Sequence, residues 1–337
     1  MTFRTKPRAA IVHARSAARR ASSPVRNHAA WLVSRRSASD IALFHDYAPP
    51  PSGGGNQFLK ALIGELERRG LLVESNRISG GTRTCLFNSF NFDIARLRRF
   101  ARDDVRMVHR VDGPIGVYRG FDDGTDQRIR ALNDEVADTT VLQSRYSLEK
   151  HRELGIDLVA PVVIPNAVDP AIFYPPQGRE PLDGRPARLI ASSWSDNPRK
   201  GSNTIAWLDR SLDPRRFEMT FVGRTQVRLE RIRAVGPVGS EDVADLLRRH
   251  DVYIAASYDD PCSNALLEAL ACGLPAVFRA SGGHPELVGE AGLPFTKDDE
   301  LPDVLERLVA EIDARSAAIA IPSLAEVADR YLEVLRG

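Results

Sequence analysis

The chain has 337 residues, a length that suits two domains, with 43% apolar and 27% charged residues. That balance excludes a wholly disordered, collagenous or membrane-embedded chain, and no run approaches the ~18 apolar residues of a spanning helix. Three cysteines, Cys85, Cys262 and Cys272, with no C-x-x-C among them, argue against a disulfide framework and a structural zinc site and fit a reducing compartment.

The net charge of +1 is unevenly spread. Residues 1–39 hold nine Lys/Arg and no Asp or Glu, which leaves 37 basic against 45 acidic residues in the rest. A basic excess confined to one segment does not make a nucleic-acid-binding surface, and no nucleic-acid partner is expected. The segment lacks the roughly 7–15-residue apolar core of a secretory signal. Its plain reading is a disordered tail or an over-extended start. Its sharper reading is a basic arm resting on anionic lipid, and a transit peptide is the third.

From Asp40 onward short apolar strands alternate with amphipathic helices. Ile41–Phe44 reads as a buried parallel strand, and Pro49 to Gly55 as a loop. Phe58, Leu59, Leu62, Ile63 and Leu66 share one face of a helix that Gly70 stops. Strands are expected at 71–73, 84–87, 105–109, 139–142 and 162–165, with helices at 94–101, 127–136 and 147–154. The Pro- and Gly-rich stretch around 171–187 reads as a linker. A second alternation follows, with strands at 188–191, 219–222, 252–255 and 276–278 and helices at 203–211, 240–249, 263–272 and 302–314. Ser323 and Glu326 form a capping box that opens a last helix. The fold class is therefore α/β, with two Rossmann-like doubly wound domains, residues 40–170 and 188–322, facing across a cleft. The helix at 323–337 is free to pack back on the first domain.

The stretch 259–273, DDPCSNALLEALACG, carries most of the chemistry. It lies at the carboxyl end of a parallel strand that feeds a helix, the place where open α/β sheets bind ligands. Ser263 suits the N-cap, which leaves the N–H groups of Asn264, Ala265 and Leu266 free to meet an anion, aided by the helix dipole. Glu268, one turn further in, is placed to accept hydrogen bonds from a ribose diol. Asp260, eight residues earlier, is placed to reach a hydroxylated group on the other side of the anion. Two acids flanking a helix N-terminus read as a nucleotide-sugar clamp; the bland alternative is a capped helix with solvated acids.

These residues, followed by Gly282-Gly283-His284-Pro285-Glu286, resemble the retaining glycosyltransferases of family 4, group 1 glycosyl transferases with the GT-B fold. Other pieces agree in order: Gly54-Gly55-Asn56-Gln57, Ile164-Pro165-Asn166-Ala167-Val168-Asp169, Pro198-Arg199-Lys200-Gly201 and Phe221-Val222-Gly223. The likeness covers roughly residues 40–337. It implies that Glu268 holds the donor ribose and that Asp260, where the family usually has glutamate, contacts the donor sugar. It implies that the backbone at Asn264, Ala265 and Leu266, with Gly54 and Gly55, receives the diphosphate and that Lys200 pairs with it. Where the family has an arginine before that lysine, this chain has Trp194 and Ser195, so Arg199 is the candidate stand-in. His109, at a strand end, is expected beside the reacting sugar, and Arg110 and Asp112 beside the acceptor. Lys200 also carries its own argument. It is one of only five lysines, and a fixed cation best stabilises the charge that grows on a departing phosphate.

No G-x-S-x-G, Walker loop, H-E-x-x-H or G-x-G-x-x-G is present, and no D-x-D, which agrees with metal-independent transfer. No cofactor or metal ion is expected, and the remaining histidines form no cluster. The resemblance implies a cytoplasmic enzyme, and the basic segment 1–39 adds the expectation of peripheral contact with anionic lipid at the inner face of the plasma membrane. It would move a sugar from a nucleotide-diphosphate sugar to a saccharide or lipid-linked hydroxyl acceptor, in bacterial surface polysaccharide or glycolipid assembly. A catalytically inactive nucleotide-sugar-binding regulator and a nucleotide-sugar epimerase of similar fold are the alternatives.

Overall fold

The computed structural model describes residues 39–48, 54–195 and 197–337. The readings of residues 1–38 and of the loop 49–53 lie outside the described residues. The first domain comprises β1 (Ile41–Phe44), α1 (Gly54–Arg68), β2 (Val73–Ser75), β3 (Thr84–Asn88), α2 (Ile94–Phe100) and β4 (Arg106–Val111). It continues through α3 (Ile115–Arg119), α4 (Thr125–Val136), β5 (Thr139–Leu142), α5 (Arg145–Glu153) and β6 (Pro161–Val163). The second comprises β7 (Ala187–Ser193), α6 (Ser202–Ser211), β8 (Phe217–Gly223), β9 (Arg233–Val235), α7 (Ser240–Arg248), β10 (Val252–Ala255) and α8 (Asn264–Ala271). It ends with β11 (Ala276–Arg279), α9 (His284–Val288), β12 (Gly292–Phe295), α10 (Leu301–Ala310) and α11 (Ile312–Ala317), and α12 (Leu324–Arg336) closes the chain.

Each domain is built on one parallel six-stranded sheet. The orders are β2-β1-β3-β4-β5-β6 and β12-β11-β10-β7-β8-β9. In each, the strand order reverses beside the first strand, and the carboxyl ends of the flanking strands open a crevice there. The strands are apolar on both faces because helices cover both. Ile41 and Leu43 pack with α1 and α12, whereas Ala42 and Phe44 pack into the opposite layer with α2 and α4. Continuous apolar runs were therefore the right signal for these strands.

Several boundaries differ from the sequence reading, each for a local reason. Gly54 and Gly55 form the first turn of α1 rather than the end of a loop. β2 starts at Val73, because Leu71 is still tied to Leu66 by its backbone N–H and Leu72 stays exposed as a connector. β4 runs two residues past His109, which puts that histidine inside the sheet. The expected helix 302–314 breaks at Glu311 into α10 and α11. The short α3, β9, α9 and β12 carry too few residues to show a period. In the linker, Phe173 is buried in the core of the second domain.

The last helix returns to the first domain. Leu324, Val327, Ala328, Tyr331, Leu332 and Leu335 join Phe58, Leu59, Leu62 and Leu66 of α1 in one core. Its first turn carries the capping box: Glu326 N–H donates to Ser323 Oγ at 3.2 Å, and Ser323 N–H donates to Glu326 Oε2 at 2.9 Å. Ser323→Ala should lower stability by about 1 kcal/mol, read as a shifted urea midpoint at unchanged slope.

Candidate active site

A cavity of about 350 Å³ lies between the two sheets. The first domain contributes Gly54, Gly55, Asp112, Gly113, Tyr118 and Gln143 to its walls, and the second contributes Trp194, Ser195, Lys200 and the stretch Asp260–Ala265 with Glu268.

The floor is the N-terminus of α8. Ser263 is its N-cap, with extended backbone, and its Oγ accepts the Leu266 N–H at 3.3 Å. That bond uses one of the three donors expected for an anion. Leu266 turns its side chain into the core, fully buried, and stays out of the cavity. The N–H groups of Asn264 and Ala265 remain at the helix end, where the dipole favours negative charge. Gly54 makes the opposite wall. A Cβ there would sit 2.4 Å from Asn264 Cβ, so only glycine lets α1 and α8 meet. A Cβ on Gly55 would meet nothing within 4 Å, which leaves its backbone open to the cavity.

Lys200 reaches this floor from the second domain. It ends a short 3-10 turn, Pro198–Lys200, and is followed by Gly201 at φ 88°. A Cβ on Gly201 would lie 2.5 Å from Ala256 Cβ, so the glycine seats the turn against the β10 loop. Lys200 Nζ lies 2.7 Å from Asp260 Oδ2 and 4.7 Å from the centre of the Tyr118 ring. Burial pulls the lysine pKa down, but the Asp260 carboxylate outweighs it and holds the ammonium above its usual range. Burial pushes Asp260 up, and Lys200 more than reverses that, so the aspartate is held below its usual range. The pair is an ammonium and a carboxylate. Asp260 Oδ1 also accepts the Cys262 N–H at 3.3 Å, which fixes the carboxylate against its own loop.

Glu268 differs from every other acid here. It lines the cavity with 7% of its surface exposed. Burial alone pushes its pKa up to about 8. The described residues supply no cation or hydrogen bond that would hold the charge.

The remaining expected site residues divide. Asp112 lines the cavity and accepts from Arg110 Nη1 at 3.0 Å and from Gln143 Nε2. Arg110 is fully buried behind it, bonded to Asn88 Oδ1 at 2.6 Å and Asn166 Oδ1 at 2.9 Å. Asn166 in turn donates to Asn264 Oδ1 at 3.0 Å, which connects Arg110 to the α8 N-terminus. His109 stands apart from the cavity. Its ring stacks on Phe87, Nε2 bonds Ser89 O at 2.9 Å, Nδ1 bonds Asn133 Nδ2 at 3.0 Å, and burial lowers its pKa to about 3. A group so held stays neutral and exchanges no proton near pH 7. Arg199 also stands apart, because Asp259 takes its guanidinium outside the cavity lining. Gly282 and Gly283 pack on the backbone of Asp260 and Pro261. The sequence reading missed Tyr118 and Gln143, which come from elements with no motif of their own. Among the described residues no group of three or more His, Cys, Asp or Glu could hold a metal ion.

Residues 206–311 match the family model described as glycosyl transferases group 1. A phosphatidylinositol N-acetylglucosaminyltransferase protein of Homo sapiens is 28% identical over 142 residues, 38% of this chain and 28% of that protein. The chain thus spans less than a third of that relative's length. Among solved structures, a sucrose-phosphate synthase from Thermosynechococcus elongatus has a TM-score of 0.70 at 18% identity, covering 88% of this chain and 98% of that one. Anabaena Alr3699/HepE, solved in complex with UDP-glucose, has a TM-score of 0.61 at 16% identity, covering 88% and 95%. Two parallel Rossmann-like sheets facing across a cleft are the GT-B fold of glycosyltransferases. Residues 206–311, most of the second domain, carry the resemblance to group 1 glycosyl transferases, within a chain that has the GT-B fold.

Proposed function

We propose that the protein is a retaining transferase of family 4, which moves a sugar from a nucleoside-diphosphate sugar to a hydroxyl acceptor. The observation that carries this reading is the convergence, in one cavity, of the α8 N-terminus, Lys200 and an unpartnered carboxylate, Glu268. The helix end and Lys200 suit a diphosphate, and a carboxylate with free lone pairs suits a ribose diol. Asp260, beside Lys200, is placed for the sugar hydroxyls. When a diphosphate enters, Lys200 trades its bond to Asp260 for one to the leaving phosphate, and the freed aspartate turns to the sugar. No enzyme nucleophile is assigned; retention would come from attack on the face that the diphosphate leaves.

The acceptor side is formed by Asp112, Gln143 and Tyr118. A lipid-linked acceptor is supported by the name of the human relative, and UDP as a donor nucleotide by the Anabaena complex. Assembly of a bacterial surface polysaccharide or glycolipid, metal-independent transfer and work at the inner membrane face complete the proposal. No described helix is long and apolar enough to cross a membrane.

The test is a thermal-shift panel of UDP-, GDP- and ADP-sugars, followed by product analysis by NMR. Bound ligand raises apparent stability in proportion to the logarithm of its excess over Kd, so the true donor should stand out by several degrees. A product with inverted anomeric configuration removes the retaining mechanism. Isomerised donor without acceptor identifies an epimerase, and binding without any turnover identifies a regulator.

A further inference from the structure

We infer that Asp259 is a positioning residue, which gathers the loops that carry Lys200 and Asp260 and ties them, through Tyr146, to the first domain. The inference rests on the glycosyl-transfer reading above.

Asp259 lies one residue before Asp260 and adopts φ 51°, a left-handed conformation that aspartate tolerates better than most residues. The carboxylate this conformation presents is shared by three partners. Its Oδ2 takes the guanidinium of Arg199, the neighbour of Lys200. Its Oδ1 accepts from Tyr146 Oη at 2.8 Å, and from Ser281 Oγ at 3.4 Å. Backbone bonds reinforce the junction: Asp259 N–H donates to Ser281 Oγ at 3.0 Å, and Tyr258 N–H donates to Arg199 O at 2.7 Å. The turn bearing Lys200, the loop bearing Asp260 and the loop after β11 therefore converge on one side chain.

Tyr146 belongs to α5 of the first domain, and the same helix end is capped from across the cleft. Glu286 of the second domain accepts the N–H groups of Arg145 and Tyr146, each at 3.0 Å. Neither Asp259 nor Arg199 lines the cavity, so neither is placed to touch a donor. The Arg199 and Asp259 side chains are 34% and 25% exposed. Ion pairs that open to solvent contribute little to stability, so the value of this one lies in where it holds its neighbours. Apposition of the two domains brings Tyr146 onto Asp259, which fixes the Lys200 turn against Asp260. Displacements of about 1 Å at a reacting centre cost on the order of 10²-fold in rate.

The experiment compares wild type with Tyr146→Phe, Asp259→Gly, Asp259→Asn and the double variant Tyr146→Phe/Asp259→Gly. Glycine accepts the left-handed backbone, so Asp259→Gly removes the carboxylate without straining the loop. Calorimetry with UDP, GDP and ADP reads binding, and release of nucleotide from the corresponding glucose donors reads turnover. Nucleotide Kd should stay within about threefold in all variants, while turnover falls about tenfold in Tyr146→Phe and about 100-fold in Asp259→Gly. The double variant should be no slower than Asp259→Gly, because both substitutions cut one connection. Asp259→Asn, which keeps an acceptor for Tyr146, should recover part of the loss. Wild-type turnover in Tyr146→Phe and Asp259→Gly overturns the inference and leaves the reaction standing. Affinity, turnover and Tm falling together also overturn it, since that marks a merely structural role. A wild type that binds none of the probes removes the glycosyl-transfer reading, and this inference with it.

Discussion

Lys200→Ala is expected to lower turnover by about 10²–10³-fold while nucleotide affinity changes by less than about tenfold. Charge on the leaving phosphate grows as the sugar bond breaks, so a fixed ammonium acts most strongly in the transition state. No second cation lines the cavity among the described residues, because Arg199 is engaged by Asp259 and the position before the turn is held by Trp194 and Ser195. The loss should therefore exceed that in an enzyme with two cations at this place. Lys200→Arg should recover little, since a planar fork cannot occupy the space of a point charge between Asp260 and the Tyr118 ring. Removing Lys200 also leaves Asp260 buried without its partner, which is costly in itself. The double substitution Lys200→Met/Asp260→Asn separates the two effects: its Tm should exceed that of Lys200→Ala, and its turnover should be no better. Intact turnover in folded Lys200→Ala would remove the lysine from the reaction.

The second large effect has two signs in one substitution. Glu268→Gln should weaken nucleotide binding while raising the stability of the unliganded protein. Its folded pKa of about 8 lies above the ordinary value of 4.5 that the unfolded chain would show. Between those values the folded state holds a proton that the unfolded state has lost. Stability from this group is thus fully present below pH 4.5, declines as pH rises, and is gone above about pH 8. Glutamine carries no charge to desolvate and removes that decline, so the gain should be absent below pH 4.5 and largest at pH 8 and above. Ligand binding runs the other way. A ribose diol donates to the ionised carboxylate, so nucleotide Kd in the wild type should tighten as pH rises from 6 to 8 and then level off. The glutamine variant should show neither trend. Differential scanning calorimetry and titration calorimetry across that range read both. A pH-independent wild-type Kd would place the ribose elsewhere.

The sequence made the architecture legible because buried parallel strands are written as short apolar runs and covering helices as amphipathic ones. Ile41–Phe44, Thr139–Leu142 and Val252–Ala255 were readable to the residue. The floor of the cavity was readable too, since a serine cap and a glutamate one turn on are local features of a single helix. What failed to show was anything set by partners distant in sequence. His109 looked like a residue at the cleft edge, yet β4 continues past it and Asn133 and Ser89 bind both ring nitrogens. Arg199 looked like a phosphate ligand, and the residue that claims it lies sixty positions away. Tyr118 and Gln143 had no pattern to announce them: Tyr118 meets Lys200 only across the cleft, and Gln143 is held by Asp112 and Asn166, each more than twenty positions away.

The return of α12 to the first domain bears on how the protein is made. Tyr331, Val327 and Ala328 fill the layer beneath α1, yet they lie after the whole second domain in the chain. A ribosome releases residues 40–170 long before it reaches this helix. The nascent first domain must therefore wait with an uncovered apolar face while the second domain, whose own core is nearly contiguous in sequence, forms ahead of it. Synthesis thus favours completing the second domain first, and the first domain is sealed only when α12 leaves the ribosomal tunnel. Substitutions in α12 should accordingly reduce the yield of folded protein at elevated expression temperature more than they slow the purified enzyme.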